Sequence, residues 1–242
     1  MKLLSVDWDF FFPIPERQDI QLYDWGHREG VAFMLEGIWE IRAAAFFMSG
    51  KSLPMTDGHE LKFWDRFSFS EDAILTYADS HSQIYNPKVI KGITEIDNYD
   101  AHHDSYQTPK DVVKRGIVDC SSWATYACMQ GIKVTTFYPK WGSYLPETTK
   151  PKVNQVIHID RQKPVKQIYD RIFVCRSGAW TPTWIEDKFW DFIDRCPARR
   201  KVQIAMSKRQ YNQKEVDTYL EQNKKLLESL KNKLAPIGKN CY

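Results

Sequence analysis

Short apolar runs alternate with stretches of helical periodicity along most of this chain. Leu3 to Val6 is apolar apart from one serine, as expected of a parallel strand buried on both faces. Similar runs occur at Ile20 to Tyr23, Ala73 to Ala78, Ile93 to Tyr99, Val134 to Tyr138, Val153 to Ile159 and Ile172 to Cys175. Val202 to Met206 reads as a last short strand. Between these runs, Val31, Phe33, Met34, Ile38, Ile41, Ala45 and Phe46 recur at helical spacing and predict a helix from Gly30 to Met48, stopped by Ser49-Gly50. Trp123 to Gln130 and Thr183 to Arg195 suit further helices. Glu215 to Leu234 suits a charged amphipathic one with leucines at 220, 226, 227 and 230. The two prolines after Phe12 require a loop, and residues 139–152 read as a long surface loop. The alternation predicts a single α/β domain over 1–242, three-layer α-β-α with a mainly parallel central sheet. It would carry an irregular, aromatic-rich insert about 51–70 and a C-terminal amphipathic helix about 213–235.

Composition narrows the class. With 43% apolar and 14% aromatic residues, 242 residues are ample for a sizeable core. A formal charge of +3, with its basic excess towards the C-terminus, is too mild to imply nucleic acid. The five cysteines form no C-x-x-C pair and read as reduced thiols. The first residues lack the pattern of a signal peptide, and the apolar run Ala43 to Met48 is far too short to span a bilayer. The expectation is a cytoplasmic protein without a membrane or nucleic-acid partner.

Two clusters carry candidate chemistry. Asn98-Tyr99-Asp100-Ala101-His102-His103-Asp104 places Asp100, His102 and Asp104 at alternate positions, which on an extended strand share one face. Ser5-Val6-Asp7-Trp8-Asp9 repeats the device with Asp7 and Asp9. Carboxylates and neutral imidazoles suit a divalent ion such as Mn, Fe or Zn. Both clusters, and His81, follow apolar strands, and the carboxyl ends of such strands are where α/β sheets bind ligands. Four carboxylates balance two divalent cations, so the spacing predicts a dinuclear centre able to activate water. Each residue also has an ordinary structural use, as a turn, a helix cap or a hydrogen-bonded core histidine.

These residues carry a resemblance. SVDWDFFFP resembles the S-x-D-x-D-x-x-D-P motif of the arginase/ureohydrolase superfamily, and DAHHD resembles its D-A-H-x-D. YADSHS is similar to the superfamily's G-G-D-H-S strand end, and Arg28-Glu29-Gly30 to its R-E-G. The order is rearranged, with S-x-D-x-D ahead of D-A-H-x-D, and Phe12 replaces the aspartate of the D-P pair. CSSWATYACMQGIKVTTFYPKWG resembles an arginase-like family that includes the peptide arginases of ribosomal peptide (RiPP) biosynthesis. The likeness covers roughly the first 140 residues.

The resemblance implies two divalent ions, Mn2+ foremost. One ion would be held by Asp7, Asp100, Asp104 and a histidine, the other by Asp7, Asp9, Asp100 and His102, with Asp7 and Asp100 bridging. The remaining histidine is His81 by motif, or His27 by its setting before the long helix. The implied reaction is hydrolysis of a guanidinium to urea and an amine. Asp104 would orient the attacking water, and His27 or His103 would supply the proton. Asp24, Glu29, Asp79 or Asp119 would grip the guanidinium. The expected substrate is arginine within a precursor peptide, converted to ornithine. Two alternatives stand beside it: a hydrolase of free arginine, agmatine or an acylated amine, and a non-catalytic binding protein on the same fold.

Overall fold

A computed structural model of the chain describes residues 1–13, 37–141 and 150–234. Seven parallel strands form one sheet: β1 Lys2–Asp7, β2 Ser68–Ala78, β3 Glu95–Tyr99, β4 Lys133–Tyr138, β5 Val156–Ile159, β6 Ile168–Cys175 and β7 Arg200–Gln203. Their spatial order is β5-β4-β3-β1-β6-β2-β7. β1 lies at the centre, pairing Leu4 with Asp97 of β3 on one side and with Ile172 of β6 on the other. A strand so placed can expose neither face, which is why its apolar residues run on rather than alternate.

The described helices are α1 Ile38–Met48, α2 Pro87–Ile90, α3 Pro109–Arg115, α4 Trp123–Met129, α5 Glu186–Arg195 and α6 Gln213–Leu234, with short 3-10 turns between elements. Leu4 and Val6 pack with Phe189, Phe192 and Ile193 of α5, while Leu3 packs in a second cluster with Trp123, Ala124 and Ala127 of α4. Successive residues of β1 thus serve opposite faces, and the result is a three-layer α-β-α fold. Among the described residues no helix is long and apolar enough to cross a membrane.

Several boundaries differ from the sequence reading. The expected strand Ile20 to Tyr23 and the start of the Gly30 helix lie outside the described residues; the helix is present from Ile38. β2 begins at Ser68, five positions earlier than its apolar run, because Ser68 and Phe69 pair with Ile168 and Tyr169 of β6 before a register shift. The insert is less irregular than expected: 3-10 turns at His59–Lys62 and Trp64–Arg66 carry Phe63, Trp64 and Phe67 into the core. The last strand is Arg200–Gln203, ahead of the predicted 202–206, and Ala205 follows it at φ 44°. Val216 of α6 packs on Ala43 and Ala44 of α1, while Leu226, Leu227 and Leu230 are exposed.

Candidate metal centre

All six described candidate ligands stand at the carboxyl edge of the sheet. Asp7 ends β1 and accepts the Asp9 N–H at 3.2 Å, turning the chain into the 3-10 turn Trp8–Phe11 that carries Asp9. His81 opens a 3-10 turn after β2, whose cap Ser80 accepts the Ser82 N–H. The extended-strand reading of Asp100, His102 and Asp104 does not hold. β3 ends at Tyr99, and residues 101–104 form a bend in which Asp104 has φ 50°. The side chains converge because the backbone folds around Asp100, whose Oδ1 accepts the His102 N–H at 2.7 Å. The Ala101 N–H donates across to Asp9 Oδ1 at 3.3 Å, joining the two motifs.

The geometry is that of donors aimed at common points. His81 Nδ1 lies 3.2 Å from Asp7 Oδ2, 3.3 Å from Asp100 Oδ2 and 3.3 Å from Asp104 Oδ2. One ring nitrogen carries at most one hydrogen and cannot satisfy three carboxylate oxygens. Ligand atoms about 2.1 Å from one ion, in tetrahedral or octahedral array, stand about 3.0 to 3.4 Å apart. The observed spacings match. A second group joins Asp9, Asp100 and His102, with His102 Nδ1 2.9 Å from Asp9 Oδ2 and 3.6 Å from Asp100 Oδ1. The Asp9 oxygen is buried, and its approach to His102 is not aligned as a hydrogen bond, as when two atoms face a third party. Asp100 belongs to both groups, one oxygen to each. Asp7 groups with His81, Asp100 and Asp104, and not with Asp9 and His102. Buried Asp/His groups able to hold a metal ion are therefore present.

Electrostatics point the same way. Burial first, then the charges of Asp9 and Asp100, push Asp7 up to about 7. Burial and Asp100 push Asp104 up to about 7. Asp9 is raised by burial against the pull of His102. Burial acts to raise Asp100 too, but hydrogen bonds from His102 and His81 outweigh it and hold Asp100 below the usual carboxylate range. Both histidines lie well above their ordinary value: burial opposes this, and the surrounding carboxylates prevail. Such crowding is uncomfortable without cations, and divalent ions would relieve it.

Other candidates have different surroundings. His103 is buried, its Nδ1 accepting the Ser105 N–H at 3.0 Å and its ring 4.2 Å from Tyr106. Asp79 pairs with Arg176 and accepts from Ser207 N and Oγ, anchoring the turn ahead of His81. Asp119 accepts from Ser121, Ser122 and Arg115, which hold its carboxyl low against partial burial. Asp24, His27 and Glu29 lie outside the described residues. His59 is exposed and paired with Asp57.

The sequence reading missed the supports. Ser5 Oγ sits 2.7 Å from His81 Nε2 and leaves Nδ1 to the carboxylates. Asn98 Nδ2 donates to Asp100 Oδ2 at 3.1 Å. Trp123 ties two ligands together, donating from Nε1 to Asp104 Oδ2 at 2.5 Å while its ring stacks on His81 at 4.5 Å. Its only sequence signal was its place at a helix start. Trp123→Phe keeps a stacking ring and loses the donor. It is expected to weaken divalent-ion binding about tenfold while costing about 1 kcal/mol of stability. Calorimetric titration with Mn2+ beside thermal melts would separate the two.

Comparisons with known protein families, with curated proteins and with solved structures find no match to this chain.

Proposed function

We propose that this chain is a dinuclear-metal hydrolase of the arginase type, converting arginine side chains within a peptide to ornithine with release of urea. The observation that carries the reading is Asp100, whose two oxygens belong to two buried Asp/His groups side by side. Asp7, His81, Asp100 and Asp104 would hold one ion, and Asp9, Asp100 and His102 the other. The oxygen-rich donors make Mn2+ the first ion to test. Bound divalent ions supply Lewis acidity that makes water a nucleophile near neutral pH.

The chain's own residues would do the rest. Asp104, fixed by Trp123, orients the attacking water. Water adds to the guanidinium carbon, and the bond to the side-chain nitrogen breaks with its electron pair left on that nitrogen. A proton completes the amine. His27 or His103 would supply this proton, His103 holding its own on Nε2 because Nδ1 accepts the Ser105 N–H. Asp79 and Asp119 are committed to Arg176 and Arg115, so the guanidinium grip falls to Asp24 or Glu29. A cleft of about 450 Å³ opens on the same edge of the sheet, lined by Phe10, Pro13, Pro139 and Trp141 together with Asp57, His59, Lys140, Asp160 and Gln162. Its rings and prolines would receive the side chains that flank an arginine in a peptide.

The test is urea release with Mn2+ from an arginine-containing peptide and from free arginine at equal concentration. The peptide is expected to turn over faster by at least about tenfold and to lose about 42 Da per converted arginine. Equal turnover of free arginine would move the activity to small molecules. Two bound ions with no urea from either substrate would reject the guanidinium chemistry.

A further inference from the structure

The cleft beside the metal centre is lined by two carboxylates, Asp57 and Asp160, and both are already engaged. Asp160 meets Arg66 through a pair of bonds, Nη1 to Oδ2 at 2.8 Å and Nη2 to Oδ1 at 2.6 Å, and its Oδ1 also accepts the Gln162 N–H at 3.0 Å. Arg66 is held in turn over the rings of Phe63, Phe67 and Tyr99. Asp57 Oδ1 accepts the His59 N–H at 3.0 Å, and its Oδ2 lies 2.8 Å from His59 Nδ1. A carboxylate gripped by a guanidinium fork, and another closed on its own turn, leave little acceptor capacity for a cation from outside.

The cations of the same region are not committed in this way. Lys140 lines the cleft, is exposed and forms no ion pair among the described residues. Arg161 and Lys163 flank Gln162, another lining residue, on an exposed loop, and likewise have no acidic partner among the described residues. Uncommitted positive charge therefore stands beside a cleft whose negative charge is neutralised from within. Its field favours an anion.

The walls decide what that anion is attached to. Phe10, Pro13, Pro139 and Trp141 offer rings, so the occupant needs methylenes next to its charge. A cleft of about 450 Å³ has room for a side chain and part of its backbone. Phe10 directly follows Asp9 in one 3-10 turn, so this wall adjoins the position assigned to the second ion.

We propose that the cleft receives a glutamate that neighbours the arginine in the peptide, its carboxylate paired with Lys140 and its methylenes laid on the ring walls. The inference rests on the peptide reading above and gives that peptide a sequence preference: acidic beside the reacting arginine, and not basic.

The test uses the full-length, Mn2+-loaded chain and peptides with a single arginine whose neighbouring positions carry glutamate, glutamine, leucine or lysine in turn. Fluorescence anisotropy of labelled peptides reads binding whether or not urea forms, and urea release reads turnover. The best glutamate peptide is expected to bind about threefold tighter than its glutamine counterpart. It should bind at least about tenfold tighter than its lysine counterpart, with both ratios shrinking as salt rises. Lys140→Glu should reverse the order of the glutamate and lysine peptides, whereas Lys214→Glu, on α6, should leave it unchanged. Equal binding of the glutamate and lysine peptides, tightest binding of the leucine peptide, or a glutamate preference that survives Lys140→Glu overturns the inference. If urea is still released, the arginase reading stands without it. A preference that Lys140→Glu reverses, with no urea from any peptide, keeps the cleft assignment and rejects the guanidinium chemistry. No binding of any peptide overturns the inference as well.

Discussion

Asp100→Asn is expected to leave the chain folded and unable to hold either ion, where Asp9→Asn and Asp104→Asn each release one. The asymmetry follows from the carboxylate's two faces. Oδ2 lies with His81, Asp7 and Asp104, and Oδ1 with His102 and Asp9. Asparagine keeps the shape and can still accept the His102 N–H, but it loses the charge shared by both positions. Removing a mere outer partner of a ligand costs about 10- to 100-fold in metal affinity. Loss of a shared carboxylate ligand should raise both dissociation constants by more than about a hundredfold, and urea release should fall below about 1% of the unsubstituted level. Metal per chain after dialysis gives the first number directly. Circular dichroism guards the interpretation, because Asp100 also pairs with two histidines, and its loss should cost about 1 to 3 kcal/mol in the metal-free protein. Retention of two ions by Asp100→Asn would sink the shared-ligand assignment.

The sheet was legible wherever strands are buried on both faces. Leu3 to Val6 and Val134 to Tyr138 read as strands because neither face can be polar in the middle of a covered sheet. The edges were harder. Ser68 to Asp72 has Phe69 as its one apolar residue and extends the strand because Ser68 and Phe69 pair with β6, whereas Val153 to Ile159, read as a strand, is one from Val156 although largely exposed on the outer edge. Helix α3 was legible and went unread: Thr108 and Asp111 form a capping box, Pro109 opens the helix and Gly116 closes it at φ 63°. The site residues themselves were legible as residue types at strand ends. Their geometry was not, since the alternation argument assumed a strand where the backbone bends after Asp100. Trp123 and Ser5 were out of reach for another reason. A support is defined by what it touches across the fold, and Trp123 is 19 residues from Asp104 while Ser5 is 76 residues from His81.

Chelation should destabilise the chain strongly at about pH 8 and little at about pH 5. In the metal-free state Asp7 and Asp104 are pushed up to about 7 from an ordinary 3.8, by burial and then by neighbouring carboxylates. Between those values the folded chain holds protons that the unfolded chain has released, so stability falls as pH rises through that window. His81 and His102, raised well above 6.5, stabilise the fold below that value and lose their contribution as pH climbs through their higher folded values. Asp100 behaves oppositely, stabilising the fold above 3.8 and losing that only in stronger acid. The sum is a metal-free protein that weakens by on the order of a few kcal/mol from mild acid to mild alkali. Bound divalent ions reverse the trend, because ionised carboxylates are then paired and metal affinity rises with pH. The melting temperatures of metal-loaded and EDTA-treated protein should therefore diverge, by about 10 °C at pH 8 and by a few degrees at pH 5. Asp104→Asn supplies the internal check. Without metal it removes one unfavourable ionisation and should melt higher than the unsubstituted metal-free chain at pH 8. With metal it should melt lower, having lost a ligand. Melting curves that coincide with and without EDTA at both pH values would detach the cluster from metal altogether and favour a binding protein on this fold.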